Sequence, residues 1–312
     1  MHRSSFSVVM YHFVRSESRD PLKVPARTPE EFKKQIEFLL RNYNPITLTE
    51  LIAAVKGEST LPESALLFTF DDGYIDHYEC VMPILCEYGL SGVFFIPTLV
   101  VKRERLLDVN RIHYLLSNLS DDFLAMQIDD MIENFESELL CKANEYRKNI
   151  AKLTGHRFDS PQRIYVKRML QSELPEDIRT EILTTLFHKF VTDDEAGLAE
   201  QLYLNERHID EMLSAGMFIG GHGATHSRLN TIDTIRQREE VLESKRFVEM
   251  VGDLDQPWVF SYPNGVYDDS LLKILQDTRC ELAFTTIAKN AYPNANSPLL
   301  IPRFDTNDFP II

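Results

Sequence analysis

The sequence predicts an α/β fold built on a parallel sheet, because strand-like and helix-like segments alternate along most of the chain. Residues 6–13 (FSVVMYHF) and 65–70 (ALLFTF) are short apolar runs typical of buried strands. Between them, residues 28–42 show the apolar spacing of an amphipathic helix, with Thr28 as its N-cap and Pro29 in its first turn. This alternation favours parallel strands that are joined by helices.

The same alternation continues towards the end of the chain. Further strands are predicted at 92–98, 217–226, 258–263, 282–286 and 299–305. Further helices are predicted at 47–57, 74–89, 234–252 and 269–279, the second of them broken or kinked near Pro83. About seven or eight strands with helices between them are typical of a (β/α) barrel.

Residues 101–200 depart from this pattern, because they are mostly helical and charged and contain almost no strand signal. We interpret them as a helical insertion within a single domain of residues 1–312. The insertion could form an oligomer interface or a wall of the substrate site, and both alternatives stay open.

The composition excludes some classes of function. The chain has 33 basic and 48 acidic residues and a net charge of −15, which argues against nucleic acid and anionic membranes as partners. No apolar stretch approaches the length of a membrane span, and residues 1–20 lack the features of a signal peptide. We therefore expect a cytoplasmic protein, with peripheral association at the inner membrane left open.

Polar clusters follow three of the predicted strands. They are Asp71-Asp72-Gly73, the run from His222 to His226 (HGATH), and the run from Ser261 to Gly265 (SYPNG). In a barrel of this kind, catalytic groups lie at the carboxyl ends of the strands. Each cluster alone is compatible with an ordinary turn, but their coincidence at three strand ends favours a shared site.

Two imidazoles and one carboxylate form a plausible set of ligands for a divalent metal ion. A catalytic zinc site has three protein ligands and one open position, and the same residue types could hold Co, Ni, Fe or Mn. A second aspartate that is not a ligand could accept a proton from water. These residues therefore predict metal-assisted hydrolysis.

At these motifs the chain resembles the polysaccharide deacetylase family, also called the carbohydrate esterase 4 or NodB-homology group. TFDDG matches its first motif, HGATH resembles its second, and FSYPNG resembles its third. VVMYHFV and LLIPRFD resemble segments of the subgroup that acts on surface polysaccharides. The resemblance covers roughly 1–100 and 205–305 and implies a distorted (β/α)7 barrel with a metal-dependent N-deacetylase activity.

The resemblance also implies roles for individual residues. Asp71 would be the general base, and Asp72, His222 and His226 would bind one divalent ion, with Zn²⁺ expected first. The backbone N–H of Asn264, in the third motif, would stabilise the oxyanion of the tetrahedral intermediate.

The chain departs from the family pattern at two points. Ser261 stands where the third motif usually has an arginine that orients the catalytic aspartate, and Arg303 could supply a guanidinium from a later strand; the alternative is a surface arginine. The family's late histidine, which protonates the leaving amine, is absent, and His12 could replace it; the alternative is a loop or core histidine.

Three further residues are expected to contact the substrate. They are Tyr74, which follows the first motif, and Tyr262 and Pro263, which belong to the third. For Tyr74 the alternative is a side chain that packs or lies at the surface.

The expected function is removal of acetyl groups from an N-acetylated sugar in a precursor of a surface polysaccharide, a lipopolysaccharide or an O-antigen. Two alternatives stay open. One is a related amide hydrolase, such as a sugar deformylase or a ring amidohydrolase. The other is a non-catalytic homologue that binds glycans.

Overall fold

The structure, a computed structural model, describes residues 5–16, 24, 26–133, 143, 145–146, 149, 160–252, 256–293 and 297–311. The chain divides into two compact units. The barrel unit comprises Met1–Arg19, Pro25–Arg105 and Ala196–Ile312, and the helical unit comprises Asp20–Val24 and Leu106–Glu195.

The barrel unit is built on a sheet of eight strands in the described part of the chain. The strands are β1 (Phe6–Tyr11), β2 (Asn44–Pro45), β3 (Ala65–Asp71), β4 (Val93–Ile96), β5 (Phe218–Gly221), β6 (Val259–Ser261), β7 (Leu282–Phe284) and β8 (Phe304–Asp305). Their order is β7–β6–β5–β4–β3–β1–β8, with β2 also paired to β3, and every pairing is parallel. The carboxyl ends of all strands therefore point to one edge of the sheet.

The sheet closes on itself through the segment that precedes β8. Ile301 forms a parallel bridge with Phe284 at the end of β7, and the amide of Thr285 donates to the carbonyl of Ile301 at 2.8 Å. Because β8 in turn pairs with β1, the strands form a distorted barrel. The predicted fold class is thus confirmed, although the predicted strand at 299–305 is reduced to this bridge and the two residues of β8.

Helices connect these strands. The barrel unit contains α1 (Pro29–Asn42), α2 (Leu48–Lys56), α3 (Met82–Glu87), α4 (Thr98–Lys102), α10 (Glu206–Ser214), α11 (Thr234–Val251) and α12 (Asp269–Asp277). The Thr28 hydroxyl accepts from the amide of Glu31, and the Glu31 carboxylate accepts from the amide of Thr28, so α1 begins with a capping box. None of the helices within the described ranges combines the length and the apolar character that a membrane crossing requires.

The predicted helix at 74–89 is wrong in part. A π-helical turn at His77–Val81 precedes α3, and Pro83 lies in the first turn of α3. Proline has no amide hydrogen to donate, so it fits the first turn of a helix better than its interior.

The π-helical turn carries a fully buried histidine. His77 Nε2 lies 2.8 Å from the carbonyl oxygen of His12, which can only accept, so Nε2 carries the proton. The rings of Phe70 and Phe94 lie 5.7 and 5.5 Å away between centroids. Burial lowers the pKa of His77 to about 4, so its imidazole is neutral near pH 7.

The helical unit contains α5 (Asp108–Asn118), α6 (Asp121–Ile132), α7 (Pro161–Arg168) and α8 (Glu176–Phe190), and it ends where α9 (Glu195–Leu202) begins. It has its own apolar core, which includes Ile112, Leu115, Leu124, Ile128, Ile164, Leu170, Ile182 and Leu186. Its long segment, Leu106–Glu195, falls within the predicted insertion at 101–200, of which 134–142, 144, 147–148 and 150–159 lie outside the described residues. The interpretation of the whole chain as one domain stays a prediction.

The two ends of the segment Leu106–Glu195 meet at a buried ion pair. Glu195 accepts from the amide of Leu106 at 2.7 Å, and its two carboxylate oxygens accept from Nε and Nη2 of Arg111 at 2.7 and 2.6 Å. Both charged side chains are about nine-tenths buried or more, at 6% and 10% exposure. These contacts of Glu195 therefore tie the two ends of this segment together.

We predict that Glu195→Ala destabilises the helical unit by about 3–5 kcal/mol, because it removes the bidentate partner of a buried guanidinium. Urea unfolding followed by circular dichroism measures the change. The control is Glu181→Ala at an exposed position of α8, which should stay within about 0.5 kcal/mol of the wild type. Equal stabilities of the two variants would contradict the prediction.

We also predict that His77 lowers the free energy of unfolding as the pH falls below 6.5. The pKa of His77 is lower in the folded chain, at about 4, than its ordinary value of 6.5, so between about pH 4 and pH 6.5 mainly the unfolded chain binds this proton. Between pH 7.5 and pH 5 this difference should remove about 2 kcal/mol of stability.

The matched variant is His77→Gln, which can still donate to the carbonyl of His12 but does not titrate. Urea unfolding at both pH values should show a stability loss that is smaller in this variant by about the same 2 kcal/mol. If the variant and the wild type lose the same amount, His77 is not the sensitive group.

Candidate active site

Three strands, β3, β5 and β6, place the polar clusters at one edge of the sheet. Asp71 is the last residue of β3, His222 directly follows β5, and Ser261 ends β6. The strands follow the order β6–β5–β4–β3, so the clusters lie along a continuous edge. The segment before β8, which carries Arg303, reaches the same edge through its hydrogen bonds to β7 and β3.

Asp72, His222 and His226 form a compact group. Asp72 Oδ1 lies 3.3 Å from Nε2 of His222 and 3.3 Å from Nε2 of His226, and one ligand atom from each residue lies within 4.8 Å of the others. Asp72 and His222 are buried, and His226 is nearly so. Asp72 Oδ1 forms no hydrogen bond with any described residue. A buried carboxylate oxygen that faces two imidazole nitrogens fits a divalent cation.

The remaining polar atoms of this group have fixed partners. His222 Nδ1 donates to the carbonyl of Ser261 at 2.8 Å, which leaves the lone pair of Nε2 directed at Asp72. The Tyr74 hydroxyl donates to Asp72 Oδ2 at 3.0 Å. Burial alone would raise the pKa of Asp72, but His226 and His222 outweigh burial and hold it well below its usual range. Asp72 is therefore ionised, as a carboxylate able to bind a cation would be.

Asp71 is held by the guanidinium of Arg303. Nη1 of Arg303 donates to Asp71 Oδ1 at 2.8 Å, and Nη2 donates to Oδ2 at 2.7 Å, with side-chain exposures of 0% and 3%. Burial alone would raise the pKa of Asp71, but the charge of Arg303 and the nearby His222 keep it below its ordinary value. Arg303, which was predicted to supply a guanidinium from a later strand, thus forms a bidentate ion pair with Asp71.

His12 and Asn264 lie at the same edge. The half-buried imidazole of His12 is close enough to add to the lowering of the pKa of both Asp71 and Asp72, after burial and the nearer charges. Asn264 is exposed and adopts a φ of 58°, and no described residue accepts a hydrogen bond from its backbone N–H. Both groups are thus placed where a substrate could meet them.

The structure corrects the three predicted substrate contacts. Tyr74 is 1% exposed, and its hydroxyl is bound to Asp72. Tyr262 is 1% exposed and donates to the carbonyl of Leu299 at 2.9 Å. Pro263 is buried and lies against Gly223. These three side chains are buried and have partners inside the protein, so they support the site instead of lining it.

The sequence reasoning missed Glu240, a buried carboxylate of α11 that accepts hydrogen bonds from the loop between the two histidines. A signal was present, because Glu240 lies on the same face of the helix as Gln237, Val241 and Ser244, all of them buried. A glutamate on the buried face of an amphipathic helix needs a hydrogen-bonding partner.

Residues 187–283 match the family model described as polysaccharide deacetylase. The poly-β-1,6-N-acetyl-D-glucosamine N-deacetylase of Escherichia coli K12 is 35% identical over 92 residues, which are 29% of this chain and 14% of that protein. The chain thus spans a small part of the length of this curated relative.

Solved structures share the fold along almost the whole chain. The deacetylase PplD of Streptococcus pyogenes superposes with a TM-score of 0.60 at 16% identity, covering 97% of this chain and 93% of that one. IcaB of Ammonifex degensii superposes with a TM-score of 0.56 at 17% identity, covering 97% and 92%. The segment 187–283 is thus similar to the polysaccharide deacetylase family, and the chain shares its fold with these solved structures.

Proposed function

We propose that this protein is a metal-dependent N-deacetylase that removes acetyl groups from an N-acetylated sugar. The proposal rests on the different surroundings of the two adjacent carboxylates, Asp71 and Asp72. Asp72 faces two imidazoles with an oxygen that forms no hydrogen bond to a described residue, whereas Asp71 is ionised and held by Arg303. Hydrolysis of an amide needs both an electrophilic centre and a base, and the two carboxylates suit these different tasks.

Asp72, His222 and His226 would hold the metal, and we propose Zn²⁺ because two nitrogen ligands and one carboxylate are a common catalytic zinc set. When bound, such an ion supplies a Lewis acid that polarises the amide carbonyl and lowers the pKa of water. Ser261 and Tyr74 keep the ligands in place through their hydrogen bonds to His222 and Asp72.

Asp71 would take the proton from the attacking water. Its Oδ2 accepts from Arg303 and Ser261, whereas Oδ1 accepts only from Arg303 among the described groups, so Oδ1 has the freer lone pair. The backbone N–H of Asn264 would stabilise the oxyanion that forms on the carbonyl oxygen. His12 would protonate the leaving nitrogen as the C–N bond breaks, giving acetate and a free amine.

The finer parts of the proposal concern the substrate. The name of the Escherichia coli relative supports an N-acetyl-D-glucosamine residue as the sugar. We propose that the substrate is a precursor of a surface polysaccharide, a lipopolysaccharide or an O-antigen, and that the protein is cytoplasmic. The proposed substrate and location do not depend on the proposed roles of the catalytic residues.

The decisive experiment measures acetate release from β-1,6-linked N-acetylglucosamine oligomers by the Zn²⁺-loaded protein. We expect acetate from the wild type, no acetate after removal of the metal by a chelator, and a loss of about 10²–10⁴-fold in kcat for Asp71→Asn. The Asp71→Asn variant should still bind one Zn²⁺, because Asp71 is not a ligand.

Other results would overturn the proposal. Full activity of Asp71→Asn would remove the base from the mechanism. Formate release from N-formyl sugars without acetate release would favour the deformylase alternative. Zn²⁺ and oligomer binding without any product would favour a glycan-binding protein.

A second prediction concerns the guanidinium of Arg303. Arg303→Lys keeps the charge but loses the two-pronged geometry, so Asp71 should lose its orientation and kcat should fall by about 10²-fold. Arg246→Lys, at an exposed position of α11, is the matched control and should leave kcat unchanged. A folded Arg303→Lys variant with wild-type kcat would show that Arg303 does not orient Asp71.

A further inference from the structure

The loop between the two histidines, residues His222–His226, is held on both sides of its backbone. On one side, the carbonyls of Gly223 and Ala224 accept from the amides of Thr98 and Leu99 at 3.2 and 2.8 Å. These amides belong to the first turn of α4, where helix geometry leaves N–H groups without helical partners.

On the other side, one carboxylate binds the amides of the loop. Glu240 Oε2 accepts from the amides of Ala224 and Thr225 at 2.8 and 2.9 Å, and Oε1 accepts from the Thr225 hydroxyl at 2.7 Å. Glu240 is 8% exposed. A carboxylate can only accept hydrogen bonds when ionised, so three converging donors match it and compensate for its burial.

Two glycines make this contact possible. A Cβ on Gly221 would lie 2.4 Å from Ser244 Oγ of α11, so only glycine lets the helix approach β5 this closely. Gly223 has a φ of +73°, and a Cβ there would lie 3.2 Å from Glu240 Oε2. The absence of side chains at both positions leaves room for the carboxylate beside the loop.

The loop ends in a strained residue. His226 adopts a φ of 62°, a left-handed conformation that is unfavourable for a residue with a Cβ. Thr225, its neighbour, is held by Glu240 through both its amide and its hydroxyl. Strain of this kind persists only where the surrounding contacts enforce it.

We infer that Glu240 is a positioning residue that fixes both histidines in the geometry required for metal binding. The inference rests on the proposed function, because it concerns the same metal site, and it adds a determinant of metal affinity that does not touch the metal. Without Glu240, the two amides and the hydroxyl lose their acceptor, and the loop relaxes away from the left-handed conformation at His226.

The test is a titration of the full-length, metal-free protein with Co²⁺, followed by the visible absorption of the bound ion. We expect Glu240→Ala to weaken Co²⁺ binding by about 10–100-fold and to change the absorption spectrum. Glu240→Gln should give a smaller loss, because its single amide oxygen can still accept from the two amides or from the Thr225 hydroxyl. Glu239→Ala, at the exposed neighbouring position, is the control and should bind Co²⁺ like the wild type.

Melting temperatures of the metal-free proteins separate positioning from stability. A lower melting temperature with unchanged Co²⁺ affinity and spectrum would overturn the inference, because Glu240 would then be only structural. If Glu240→Ala does not fold, Glu240→Gln decides by the same criterion. A wild type that does not bind Co²⁺ would instead refute the metal site of the proposed function.

Discussion

The charge of Asp71 is the constraint on which the site depends. All seven residues of β3 are buried, so the strand ends in a carboxylate that water cannot solvate. Arg303 meets this demand with five hydrogen bonds, two to Asp71 and one each to Thr285, Thr69 and Ser261. Every N–H of the guanidinium has an acceptor, which makes a buried ion pair of this kind tolerable.

The turns that follow β3, β5 and β6 contain residues in unfavourable backbone conformations. Asp72, His226 and Asn264 all have positive φ, at 77°, 62° and 58°, although none is glycine. Each lies immediately after a strand or in the loop that follows it, where an extended backbone would carry its side chain or amide away from the shared edge. Unfavourable backbone conformations that cluster at one edge of a sheet are typical of functional sites.

Much of this arrangement could be predicted from local patterns. The alternation of strands and helices and the polar residues at strand ends depend on short-range spacing, which a single sequence displays. The directions of side chains within turns cannot be predicted from short-range spacing. Tyr74, Tyr262 and Pro263 were therefore expected to contact the substrate, but they are buried beneath the site. Arg303 could only be suggested, and Glu240 was missed, because their partners lie far away in the sequence and are set by the approach of separate elements.

The separation of Asp71 and Arg303 along the sequence has a consequence for biosynthesis. Asp71 and Arg303 are 232 positions apart, so β3 leaves the ribosome long before its counter-charge is made. Until the segment before β8 docks between β7 and β1, the carboxylate must stay hydrated, because burying it alone is costly. Closure of the barrel and completion of the reactive centre are therefore one step, and a nascent chain that lacks this segment cannot form a working site.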